Sequence, residues 1–128
     1  MLNKIVIGLS GLLYLAFGFI LFFNPFFLQK AAVILAEPTA ITEIRAFYGG
    51  LEIGLGVFVL SALPRRELHS AALLLLLLTS TGLLLGRAYG AAVDGVEGSY
   101  LYYALAFELP LWSLAASAYF LDWKKNNG

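Results

Sequence analysis

Four apolar runs, each close to the roughly 20 residues that a helix needs to cross a bilayer, dominate this chain. They extend from about Ile5 to Phe23, Ile44 to Leu63, Ala71 to Val93 and Tyr100 to Leu121. In hydrocarbon each backbone N–H and C=O must find a partner within the protein, which leaves the α-helix for runs of this length. The expected fold is all-α: a four-helix transmembrane bundle forming a single integral membrane domain over residues 1–128. Composition agrees. Of the residues, 61% are hydrophobic and 12% charged, far fewer charges than a soluble domain carries.

Lys4 ahead of the first run is a feature shared with signal peptides. The run is long, however, and ends in Phe22-Phe23-Asn24-Pro25 with no small-residue cleavage site, so it reads as a retained helix. Basic residues set the orientation. Lys4, Arg65, Arg66, Lys124 and Lys125 fall on one side of a four-span topology, against Lys30 on the other. Both termini are therefore expected in the cytoplasm, with the chain a multi-pass protein of a bacterial inner membrane.

In the first external loop, Phe26-Phe27-Leu28-Gln29-Lys30 followed by Ala31 to Ala36 has the pattern of a short interfacial segment. Pro38 interrupts it, and Thr39 is placed to cap the second helix. Pro64 ends that helix. The second external loop, Asp94 to Ser99, is short, polar and glycine-rich, as a turn between two spans should be. Glycines crowd the second helix at 49, 50, 54 and 56, and the Gly50–Gly54 spacing predicts a close helix approach, as does Gly86–Gly90 in the third.

Several chemistries are excluded at once. The chain has no cysteine, hence no disulfide, thiolate nucleophile or iron–sulfur ligand. The single histidine, His69, lies in a charged loop and reads as an ordinary loop residue; one histidine is too little for a His-based metal site. A formal net charge of zero argues against nucleic acid.

What remains is a set of charges inside the spans, where an ion costs several kcal/mol unless paired or wetted. Arg45 and Glu52 lie seven residues apart, on nearly one helical face, and Arg87 and Asp94 repeat that spacing on an antiparallel neighbour. Packed together, these helices set Arg45 level with Asp94 and Glu52 level with Arg87, as two crosswise ion pairs. Glu108 in the fourth helix reaches a similar depth, about 12 Å below Tyr100, so two carboxylates compete for Arg87. One is left over to exchange a proton or accept a ligand's donor. Pro110 removes the backbone donor to the Ala106 carbonyl and loosens the helix beside Glu108. Glu43, about 200° around the helix from Arg45 and near the water interface, reads as a capping or solvated residue. Tyr48, one turn from Arg45, faces the same side and can bond a buried carboxylate or a ligand, whereas Tyr89, Tyr100, Tyr102 and Tyr103 have the placement of interfacial belt residues.

The string Glu43-Ile44-Arg45-Ala46-Phe47-Tyr48-Gly49-Gly50, with Gly54, Gly86-Arg87, Asp94-Gly95 and Glu108, resembles a bacterial family of small four-helix membrane proteins catalogued as domain of unknown function 4345. That family is itself distantly similar to DoxX-like membrane proteins. The resemblance covers nearly the whole chain and implies a four-helix bundle. It brings no activity, substrate or cofactor.

Three functions compete on these residues. The first is a non-enzymatic protein that binds a small amphipathic molecule, lipid or quinone-like, near the external side, as a subunit of a larger membrane assembly or a homo-oligomer. Its binding residues are Arg45, Tyr48, Glu52, Arg87, Asp94 and Glu108. The second is a proton- or ion-coupled transporter using the same residues. Small four-helix multidrug transporters place an essential glutamate in their first helix, and this first helix has no acid. A membrane enzyme with Glu52 or Glu108 as acid–base group comes third, unsupported by any nucleophile–base pair, phosphate loop or metal cluster. The expected partners are membrane lipid, an amphipathic ligand and other membrane proteins.

Overall fold

The computed structural model describes residues 1–96 and 98–127, so Glu97 of the expected second external loop and Gly128 lie outside the described residues. Among the described residues all regular structure is helical. Four helices are long and apolar enough to cross a membrane: a first span Leu2–Phe23, a second Pro38–Ser61, a third Arg66–Val93 and a fourth Tyr100–Asn127. The chain is an all-α integral membrane protein.

The second span starts earlier than its apolar run. Pro38 takes the first helical position, where no backbone N–H is needed and its fixed φ already suits the helix. Thr39 therefore lies inside the helix and does not cap it; Glu37, extended at φ −122° and ψ 148°, precedes it. The interfacial segment is a 3-10 helix, Pro25–Ala31, with the Lys30 ammonium 4.6 Å from the Phe27 ring centroid. It is shorter than expected because Ala32 adopts the left-handed conformation (φ 60°) and ends it. His69 is no loop residue. A 3-10 turn, Arg66–Leu68, runs directly into the third span and leaves His69 buried at the start of its α-helical part. Gly95 and Gly98, at φ +83° and +70°, make the turn after the third span in a conformation that side chains resist.

Contacts group the residues into two units, Ile7–Pro64 and Met1–Val6 with Arg65–Gly128. In the first unit, the first and second spans meet along a seam of glycines. A Cβ built on Gly49 would lie 2.7 Å from the Phe22 Cα, one on Gly18 2.8 Å from the Ile53 nitrogen, and one on Gly56 2.9 Å from the Leu15 nitrogen. At Gly11 a Cβ would meet Leu60 Cγ at 2.6 Å. Each span thus supplies two glycines seven residues apart, and without side chains the backbones touch. Gly50 and Gly54, expected in this role, do not have it: Gly54 meets nothing within 4 Å and Gly50 only the Arg45 carbonyl, at 3.6 Å. Gly86 meets nothing within 4 Å, and Gly90 only the Asp94 side chain, at 3.8 Å.

A π-helical turn, Arg45–Gly50, explains the phase of that seam. Its wider hydrogen bonding adds about one residue, roughly 100° of rotation, relative to a continuous α-helix. The seven-residue spacing from Arg45 to Glu52 consequently no longer puts the two side chains on one face.

In the second unit, the third and fourth spans pack as an antiparallel pair linked by polar side chains at three levels. Ser70 Oγ donates to Asp122 Oδ2, Trp112 Nε1 donates to Thr81 Oγ1 at 2.9 Å, and Arg87 meets Glu108. These levels cover about 26 Å of helix axis. The hydroxyl run Thr79-Ser80-Thr81 is satisfied internally, each side chain donating one turn back to the carbonyls of Leu75, Leu76 and Leu77.

Candidate functional site

Arg87 and Glu108 form a two-point ion pair. Arg87 Nε donates to Glu108 Oε2 and Nη2 to Oε1, both at 2.7 Å. Their helices set this geometry. Arg87 lies about 9 Å before Val93 along the third span, and Glu108 about 12 Å beyond Tyr100 in the fourth, so antiparallel packing brings them level. The planar guanidinium fits a carboxylate with two parallel hydrogen bonds, which matches charge and satisfies both oxygens at once. Tyr100 stands beside it, with its ring centroid 5.9 Å from the Arg87 Cζ, within reach of a cation–π contact.

The pair is not sealed. The Arg87 side chain keeps 24% of its exposure and Glu108 14%, enough for a small group to approach from outside the helices. An apolar groove of about 340 Å³ opens between the same two spans, lined by Thr81, Leu84, Leu85, Ala88, Leu105, Leu109 and Trp112. Leu84 and Ala88 bracket Arg87 in sequence, and Leu105 and Leu109 bracket Glu108. One end of the groove therefore lies within a helical turn of the ion pair.

Of the six residues expected to form a site, the structure joins these two directly. Among the described residues this is the one ion pair. The Arg45 Nη1 donates to the carbonyl of Phe22, with the Phe23 carbonyl at 3.4 Å. Those carbonyls end the first span, where the helix leaves acceptors unpaired and carries partial negative charge, so a cation is held there. One Glu52 carboxylate oxygen, Oε2, is buried with no hydrogen-bond partner. Asp94 ends the third span, its N–H donating to the Gly90 carbonyl at 2.8 Å, and its side chain is exposed. Tyr48 is exposed in the π-helical turn.

Sequence reasoning did not single out Trp112, although a signal was present. An indole N–H in a span needs an acceptor, and Thr81 is the hydroxyl that an antiparallel register places opposite. Tyr100 reads as a belt residue in the sequence but stands against the guanidinium.

The family model described as a domain of unknown function (DUF4345) matches residues 2–119, and the chain belongs to that family. No curated protein and no solved structure matches it.

Proposed function

We propose that this protein binds a small amphipathic molecule, lipid or quinone-like, on the third and fourth spans, without carrying out a reaction on it. One observation carries the reading: a part-exposed ion pair stands within a turn of an apolar groove on the same two helices. An amphiphile needs that combination, a few polar groups at one end of an otherwise apolar cleft. The two-point pair uses two of the five guanidinium N–H donors, so three remain for a ligand's oxygen atoms. Tyr100 adds an aromatic face beside them. Little of the chain lies outside its spans, so contacts with a second copy or a larger assembly belong within the bilayer.

The test is to purify the protein in mild detergent and identify bound lipids and quinones by native mass spectrometry. Two substitutions probe the two ends of the site. Arg87→Gln removes the donor, and Ala88→Phe fills the groove without touching the ion pair. Each should reduce ligand occupancy at least tenfold. Unchanged occupancy in both defeats the reading.

A second reading rests on Glu52. A buried carboxylate oxygen without a partner suits a group that takes up and releases a proton, as coupled transport requires. Proteoliposomes under an imposed pH gradient should then show proton flux that Glu52→Gln abolishes, and no flux in the parent protein removes this reading.

A further inference from the structure

A second cavity, of about 400 Å³, lies at the far end of the same pair of spans, where the first few residues of the chain also pack. Its wall carries three cations, Lys4, Arg66 and Lys125, together with Asn3, Asp122 and the buried His69. Asp122 is the one carboxylate on that wall, and it is fully engaged. Asn3 Nδ2 donates to its Oδ1 at 2.6 Å, while Ser70 Oγ and Asn126 Nδ2 donate to Oδ2. Among the described residues none of the three cations forms an ion pair, because the single pair is Arg87 with Glu108. Three positive charges against one occupied carboxylate leave a net positive cavity.

Its position narrows the choice of anion. Lys4 precedes the first span's apolar run, Arg66 opens the third span and Lys125 lies in the last turn of the fourth, so all three stand where helices leave the hydrocarbon. The basic residues mark this end as cytoplasmic. Basic pockets between spans at that level suit the phosphate of an acidic lipid, whose acyl chains then follow the helix surface.

We propose that this cavity holds the phosphate group of an anionic ligand, with the headgroup of an acidic phospholipid as the source the membrane supplies. Asn3, Asp122, Ser70 and Asn126 form the hydrogen-bonded floor that ties the chain's start to the third and fourth spans. The three cations of the same cavity wall take the anion. The site is separate from the Arg87–Glu108 pair, some 17 residues away along the third span, so one can fail without the other.

The experiment uses the full chain in neutral detergent, titrated separately with short-chain phosphatidylglycerol, phosphatidylcholine and inorganic phosphate. Phosphatidylglycerol should bind saturably and phosphatidylcholine should not. Lys4→Gln, Arg66→Gln and Lys125→Gln should each weaken that binding roughly fivefold. Arg65→Gln, a neighbouring cation outside the cavity wall, should change it less than twofold. Saturable binding of inorganic phosphate that the same three substitutions weaken supports the site with a soluble anion as its source. Equal binding of the two lipids, or equal weakening by Arg65→Gln, overturns the proposal, since either means diffuse attraction to a charged surface. The Gln substitutions fall on exposed side chains, so circular dichroism should show the helical content of the parent protein.

Discussion

Gly49 lies against Phe22 so closely that a Cβ at position 49 would stand 2.7 Å from the Phe22 Cα. The obstacle is backbone, which cannot rotate away as a side-chain tip can. Gly49→Ala should therefore destabilise the protein by about 1–3 kcal/mol, the usual cost of overpacking a tight contact. Gly54→Ala is the matched control. It meets open space, and alanine favours the helix by roughly 0.5–1 kcal/mol, so its thermal midpoint in detergent should hold or rise. Equal effects at the two positions contradict the seam.

The Arg87–Glu108 pair predicts a particular pattern of coupling. Removing either charge leaves the other in a span without its partner, whereas removing both leaves none. Arg87→Gln and Glu108→Gln should each cost more than the double substitution, with a coupling of about 1–2 kcal/mol given the partial exposure of both side chains. A double-mutant cycle of unfolding in denaturing detergent measures it, and additive costs contradict the pair.

Arg45 should act through the first span and not through an acid. Arg45→Gln removes the cation from the Phe22 and Phe23 carbonyls and should cost about 1–2 kcal/mol. Asp94→Asn should leave stability within about 0.5 kcal/mol, as exposed positions usually do. If Asp94→Asn matches the loss at Arg45, the carbonyl contact is not what holds the guanidinium.

Orientation is tested by labelling. Cysteines introduced at position 2 and in the tail after Trp123 should react with a membrane-impermeant reagent only when the cytoplasmic face is open. Labelling of both from outside intact cells reverses the topology.

The four spans are legible in the sequence because hydrocarbon imposes a length and permits little else. Depth is legible too, which is why Arg87 and Glu108 could be expected to meet. Rotation is not. Which of Gly49, Gly50, Gly54 and Gly56 faces the neighbouring helix depends on the helical phase, and the π-helical turn shifts that phase by about one residue inside an ordinary-looking run. The contact Arg45 makes with the first span is illegible for another reason. Counting side-chain charges overlooks the unpaired carbonyls at the end of a helix, and those of Phe22 and Phe23 are its partners.

The level match between Arg87 and Glu108 bears on how the chain enters the membrane. Inserted alone, either span would present its charge to lipid; an arginine costs about 3 kcal/mol at a helix centre and less as close to the end as Arg87. The turn between them is short, so the two can partition together, each charge neutralised during insertion. The fourth span, less apolar than the third and carrying Pro110 inside its helix, gains most from this. A nascent chain ending before Tyr100 should retain its third span less firmly than one extended through Asn127, as glycosylation acceptors placed on either side report. Glu108→Gln should erase the difference.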